Sequence, residues 1–205
     1  MPLIYKIEQS NFKLGIWKIT EDANFFYKKL GFCTTKKSVL KNTQYMASRL
    51  ILKELDTDFM FSNCDDWSQE KPSYRENFFY FNVSHSGTTA IAILSKEKEV
   101  GVDIEELSER TINIKSKFLN EEELENLNSF SAKKHKDIIS LFWTVKEAVL
   151  KWIGVSAFDY LNDITIQKYS TNDNGIIKVK LHNYKTILVK VHYFKHQNYW
   201  VSYCL

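Results

Sequence analysis

Phe78-Phe-Tyr-Phe-Asn-Val83, Thr89-Ala-Ile-Ala-Ile-Leu94 and Val100-Gly-Val-Asp-Ile-Glu105 are short runs of aromatic, aliphatic and β-branched residues, with a polar break at Ser84-His-Ser-Gly87. Such runs, bounded by polar punctuation, read as strands of a sheet. Upstream, a helix is predicted over about residues 36–55, where Val39, Leu40, Met46, Ala47, Leu50 and Ile51 form an apolar stripe. Lys37, Lys41 and Arg49 are expected as a basic fringe on its surface. Residues 3–7 and 12–19 read as strands, Thr20-Glu-Asp22 opens an amphipathic piece that Gly31 closes, and residues 63–77 read as a loop. Downstream, Asn120-Glu-Glu-Glu123 is a variant of the helix capping box. A long helix over about residues 135–153 buries Ile138, Leu141, Phe142, Val145, Ala148, Val149 and Trp152, and stops at Gly154. Strands follow over 164–169, 176–181, 187–194 and 199–204, with Asn172-Asp-Asn-Gly175 as a loop. The predicted fold is α+β: two similar lobes, residues 1–104 and 105–205, each with one long helix packed on an antiparallel sheet. No residue-level repeat accompanies this order, and a site is expected between the lobes.

The 205 residues carry 28 Lys+Arg against 25 Asp+Glu, are 44% hydrophobic, and include only six Gly and two Pro. That composition excludes collagen-like, low-complexity and wholly disordered chains. A chain of this length removes roughly 70% of its extended surface from water, so a core needs no staples. The net charge of +3, with no arginine-rich block, gives no reason to expect nucleic acid. Cys33, Cys64 and Cys204 are odd in number and form no CxxC pair, against both a disulfide framework and a zinc site. The start runs into charge after a few residues and no stretch approaches 18 apolar residues, so neither signal peptide nor membrane span is expected. The expectation is a cytoplasmic monomer.

Side chains alternate along a strand, so Val100, Val102 and Ile104 are expected to face the core while Gly101, Asp103 and Glu105 share the other face. Two carboxylates on one face are either solvated or useful to a hard cation such as Mg²⁺. In Phe142-Trp-Thr-Val-Lys-Glu-Ala-Val-Leu-Lys151, Thr144, Glu147 and Lys151 form one polar row. That row is either a Glu147–Lys151 pair worth a few tenths of a kcal/mol, or a carboxylate and a cation for a phosphate-bearing metal site. Ser84-His-Ser-Gly87 is either a turn or an anion pocket lined by hydroxyls, imidazole and amides. A serine-hydrolase reading lacks Gly-x-Ser-x-Gly, and Ser84 and His85 point to opposite faces of an extended chain. Lys71-Pro72 says little alone.

Taken in order, Phe81-Asn-Val-Ser-His-Ser86, Val100-Gly-Val-Asp-Ile-Glu105 and Phe142 to Lys151 resemble the 4′-phosphopantetheinyl transferases of the Sfp type. The resemblance extends to Ala47-Ser-Arg-Leu-Ile-Leu52, Lys71-Pro72 and Lys117-Phe-Leu-Asn-Glu-Glu-Glu123, covering most of residues 36–154. It implies a pseudo-two-fold pair of lobes and an enzyme of the holo-acyl-carrier-protein synthase type. Such an enzyme transfers the phosphopantetheine arm of coenzyme A to a serine of an apo acyl or peptidyl carrier protein, releasing adenosine 3′,5′-bisphosphate. It further implies Mg²⁺, or Mn²⁺, on Asp103, Glu105 and Glu147, with Lys151 on the pyrophosphate. Ser84 and His85 would bind phosphates of the nucleotide end, and Lys71 and Pro72 would lie beside the 3′-phosphate and base. Glu147 is the first choice of base, directly or through a metal-bound water; Glu123 is the second, its other reading being the capping box. The chain departs from the family's pattern at Glu70 and Gln44, where relatives carry Gly and Arg; Lys36, Lys37, Lys41 and Arg49 either supply that charge or form a solvated helix face. Phe118 and Leu119 either approach the carrier or staple the core. Two other functions use the same residues: a metal-dependent phosphohydrolase in which water replaces the carrier serine, and a non-catalytic module that binds coenzyme A or a carrier.

Overall fold

Strand pairing divides the chain into two units, Met1–Val100 and Gly101–Leu205. The computed structural model describes residues 3–31, 38–59, 73–74, 79–154, 159–167, 169, 172–182 and 187–205. Lys36, Lys37, Glu70, Lys71 and Pro72 lie outside these residues. The division falls at 100/101 rather than the expected 104/105, because the strand bearing Asp103 pairs with the last strand of the chain.

The first unit runs β1 (Leu3–Glu8), β2 (Lys13–Lys18), α1 (Ala23–Leu30), α2 (Val39–Leu55), β3 (Ser73–Tyr74), β4 (Phe79–Ser86) and β5 (Thr89–Ser95). Its sheet is antiparallel in the order β1-β2-β5-β4-β3. Local chemistry sets the helix ends: the Asp22 carboxylate accepts from the amide of Phe25, and the Ser38 hydroxyl from that of Lys41. Gly31 closes α1 at φ +81°, a left-handed conformation that glycine adopts without steric cost. Met46, Ala47, Leu50 and Ile51 of α2 share a core with Phe79, Phe81, Ala90, Ala92 and Leu94 of the sheet.

The second unit runs β6 (Gly101–Glu106), α3 (Glu109–Asn113), a 3₁₀ turn (Lys115–Lys117), α4 (Glu121–Asn128), α5 (Ala132–Ile153), β7 (Ile164–Ile166), β8 (Asn174–Leu181), β9 (Ile187–His196) and β10 (Tyr199–Cys204). Its antiparallel order is β6-β10-β9-β8-β7. Both halves of the capping box form at α4: Asn120 accepts from the amide of Glu123, and Glu123 from that of Asn120. Phe142, Val145 and Val149 of α5 pack with Ile177, Val179, Val191 and Trp200 of the sheet. At its end, Cys204 is fully buried, and burial pushes its thiol up.

The two units share a plan. In each, the strand before the long helix lies beside the unit's last strand, so β2-β5-β4-β3 corresponds to β6-β10-β9-β8. The strand next to the helix carries an apolar-Gly-apolar triplet in both, Leu14-Gly15-Ile16 and Val100-Gly101-Val102. A Cβ on Gly15 would stand 2.8 Å from Ile51, and one on Gly101 only 2.2 Å from the carbonyl oxygen of Ala148. The triplet is therefore a feature that the two units share, legible once the helices are in place.

Several expected boundaries move. β4 continues through Ser84-His85-Ser86, and the chain reverses at Gly87 (φ +54°) and Thr88, so the expected break is one of the hairpin's own strands. β8 begins at Asn174, taking two residues from the expected loop, and α5 begins at Ala132. β3 and α3, with two and five residues, are too short for a periodicity to reveal them. Among the described residues no helix is long and apolar enough to cross a membrane.

Candidate active site

The site is built where β6 runs beneath α5. Because residue 101 has no side chain, Ala148 and Trp152 approach the strand closely. Alternation then turns Asp103 and Glu105 toward the same helix. The carboxylate-bearing face is thus the helix-facing one, and Asp103, only 3% exposed, does not fit the solvated reading of that face. Val102 and Ile104 are buried too, so burial occurs on both faces of the strand.

Each carboxylate is met by a different donor. Lys151 Nζ lies 2.7 Å from Asp103 Oδ1, so the lysine reaches across to the strand rather than forming the Glu147–Lys151 pair, one of the two readings of this row. Trp143 Nε1 donates to Glu105 Oε1 at 3.1 Å. The Tyr160 hydroxyl donates to Glu147 Oε1. Burial pushes the Glu147 carboxyl up, the charge of Asp103 adds to this, and Tyr160, Lys151 and Arg110 oppose it. Burial, with Glu147 adjacent, pushes the Tyr160 phenol up as well. Thr144, expected in the same polar row, is buried instead, bonded to the Leu141 carbonyl and sharing a 2.9 Å bond with Ser202.

Glu123 stands in another network. Its carboxylate accepts from the amides of Asn120 and Ile166 and from Lys146 Nζ at 2.7 Å, and both charged side chains have no solvent exposure. Lys146 also donates to the carbonyls of Phe118, Tyr160 and Ile164 at 2.6–2.8 Å. Burial pushes Glu123 up and Lys146 down, while their mutual attraction opposes both shifts. With its oxygens engaged in this way, the pair ties α4, α5 and β7 together. Phe118 and Leu119 are in the core, where Phe118 meets Trp143 edge-on at 4.9 Å, so neither presents a carrier-facing surface.

Sequence reasoning missed Lys146 and Tyr160. Lys146 had a signal: it shares an apolar stripe with Ile139, Phe142 and Val149, an anomalous place for a lysine. Tyr160 had none, since a turn after the helix brings it back.

The donor set suits a hard cation, being carboxylate oxygen throughout. Asp103 is near enough to Glu147 to push its carboxyl up, a repulsion that a divalent cation would relieve. Among the described residues no three His, Cys, Asp or Glu side chains converge into a cage. Mg²⁺, however, characteristically takes one or two carboxylates and completes its shell with water and phosphate. Asp103 and Glu147 therefore fit such an ion, with Glu105 turned to Trp143.

In the first unit, Ser84 and His85 lie on opposite faces of β4; Ser84 is buried, whereas His85, on the face of the buried Phe79 and Phe81, is exposed where that face ends. Gln44 Nε2 donates to the carbonyl of Gly87 at 2.7 Å and thereby ties α2 to the β4–β5 turn. Arg49 is not part of a surface fringe: it is 5% exposed, lies over the Tyr45 ring at 3.4 Å and donates to the Ser48 hydroxyl. Lys41 is exposed.

Residues 99–204 match the family model described as the 4′-phosphopantetheinyl transferase superfamily. The 4′-phosphopantetheinyl transferase gsp of Aneurinibacillus migulanus is 34% identical over 92 residues, 45% of this chain and 38% of that protein. A putative 4′-phosphopantetheinyl transferase of Synechocystis is 32% identical over 87 residues, 42% of this chain and 35% of that protein. A 4′-phosphopantetheinyl transferase of Bacillus subtilis is 26% identical over 102 residues, 50% of this chain and 44% of that protein. The matched stretch thus spans less than half the length of each of these relatives.

Proposed function

This chain belongs to the 4′-phosphopantetheinyl transferase superfamily, and from that membership we propose that it transfers the 4′-phosphopantetheine arm of coenzyme A to a serine hydroxyl of an apo acyl or peptidyl carrier protein. The observation that supports this most is the meeting of Asp103, Glu147 and Lys151 on β6 and α5, inside the matched residues 99–204.

In the proposed reaction the carrier serine oxygen attacks the phosphorus attached to the pantetheine arm. The bond from that phosphorus to the bridging oxygen breaks, and adenosine 3′,5′-bisphosphate leaves. Glu147 takes the serine proton, a role suited to a carboxyl that burial holds above its ordinary range. Lys151 exchanges its partner Asp103 for the pyrophosphate and offsets charge gathering on the leaving group. A Mg²⁺ or Mn²⁺ ion held by Asp103 and Glu147, with Glu105 as a further carboxylate, would supply the remaining charge neutralisation. Ser84 and His85 are proposed to bind phosphates of coenzyme A. Glu123 is assigned to supporting α5 through Lys146 rather than to the proton.

The test is incubation with coenzyme A, Mg²⁺ and a panel of apo carrier proteins, read by mass. Addition of one phosphopantetheine to a carrier serine is expected. No mass gain on any carrier, with a control transferase active, would sink the reading, and carrier-independent release of adenosine bisphosphate would replace it with phosphohydrolysis.

A further inference from the structure

We propose that Tyr160 is the positioning residue of Glu147, and that its stacked pair with Trp143 orients two of the site's carboxylates as one unit. The proposal rests on the transferase reading for what the carboxylates do, but not for how they are held.

Two contacts of its own and a closed turn fix Tyr160. Its ring stacks on Trp143 with centroids 5.5 Å apart and planes at 15°. Its carbonyl accepts from Lys146 Nζ at 2.7 Å, so the backbone at this point is pinned to the buried Glu123–Lys146 pair. The turn is closed by Asp159, whose carboxylate accepts from the Leu161 amide at 2.8 Å and from Asn162 Nδ2 at 2.7 Å, and whose amide donates to Asp163 at 2.8 Å. With backbone and ring held, the hydroxyl has little freedom, and it is aimed at Glu147 Oε1.

Engaging Oε1 fixes the rotation of the carboxylate and therefore the direction of its second oxygen. The other half of the stack does the same for Glu105, through Trp143 Nε1. A ligating carboxylate held by an outer hydrogen bond characteristically loses about 10- to 100-fold in metal affinity or activity when that bond is removed. A ring present only for packing would behave differently, since phenylalanine fills the same space and stacks in the same way.

The experiment compares the wild-type chain with Tyr160→Phe and Tyr160→Ala in three measurements. These are the melting temperature, calorimetric titration with Mg²⁺ alone, and kcat and KM for coenzyme A with an apo carrier that the wild type modifies. Tyr160→Phe is expected to keep the melting temperature, to weaken Mg²⁺ binding about tenfold, and to lower kcat about tenfold with KM for coenzyme A little changed. Wild-type Mg²⁺ affinity and kcat in Tyr160→Phe, with a lowered melting temperature only in Tyr160→Ala, would assign the residue to packing and overturn the proposal. Absence of any Mg²⁺ heat in the wild type would overturn it too. If the wild type binds Mg²⁺ but modifies no carrier, the transferase reading fails while weaker binding by Tyr160→Phe still upholds the role of Tyr160.

Discussion

Lys146 shows how much one side chain can commit. Its ammonium is sealed among one carboxylate and three carbonyls, so removing it leaves Glu123 buried without its counter-charge. Lys146→Met should therefore cost about 3–5 kcal/mol, measured by urea unfolding. Pairing it with Glu123→Leu should recover part of that loss, because a buried pair replaced as a whole leaves no stranded charge. Urea unfolding and transfer assays of Glu123→Leu alone separate the two readings of Glu123: removing a supporting residue lowers stability, whereas removing a proton acceptor lowers turnover in a chain that still folds normally.

At the scale of elements, the close approach of a strand to a helix depends on glycine. Gly101→Ala would set a Cβ 2.2 Å from the Ala148 carbonyl and 2.6 Å from the Trp152 amide, so the backbone of α5 itself must withdraw. A loss of about 1–3 kcal/mol or more is expected in thermal melts. Gly15→Ala should cost less, since the atoms it meets first, at 2.8 and 3.0 Å, are side-chain ends of Ile51 and Leu3.

Asp56, at the end of α2, gives that element a pH dependence. Burial raises its carboxyl, but the Asp58 amide and the ammoniums of Lys96 and Lys13, at 3.3 and 3.4 Å, together outweigh burial and hold it below the usual 3.8. A depressed carboxyl contributes stability that is complete above pH 3.8 and fades as the pH falls through its lower folded value. Asp56→Asn should remove that part of the acid sensitivity, seen as a flatter urea midpoint between neutrality and pH 3.

Much at this scale was legible because it is local. The capping box at Asn120, the stops at Gly31 and Gly154 and both long helices need only neighbouring residues to be recognised. The direction of the Asp103 face was not, because alternation says which residues share a face but not which face a distant helix covers. Arg49 was misread for a related reason: its stem and guanidinium lie along Tyr45, a contact that spacing alone does not distinguish from exposure.

Across the whole molecule, one plan occurs twice and the acids occur once. Two positions after the helix-contacting glycine stands Trp17 in the first unit and Asp103 in the second. Trp17 joins the first unit's core, whereas Asp103 takes Lys151. The family match, residues 99–204, falls almost wholly on the second unit. The proposed division of labour puts chemistry there and part of the nucleotide binding in the first. His85→Ala should then raise KM for coenzyme A about tenfold, as expected for a lost hydrogen bond to a charged phosphate, with kcat nearly unchanged. Steady-state kinetics at varied coenzyme A measures this, and an equal fall in kcat would move His85 into the reacting centre.

Cys204, buried opposite Gly101 in the last strand, has a practical consequence. A thiol that is both inaccessible and held in its protonated form reacts with alkylating reagents only when β10 opens. Pulse alkylation followed by peptide mapping would thus turn this residue into a clock for the opening of the second unit. Ligands that bind and stabilise the folded unit should slow the clock in proportion to the opening they suppress.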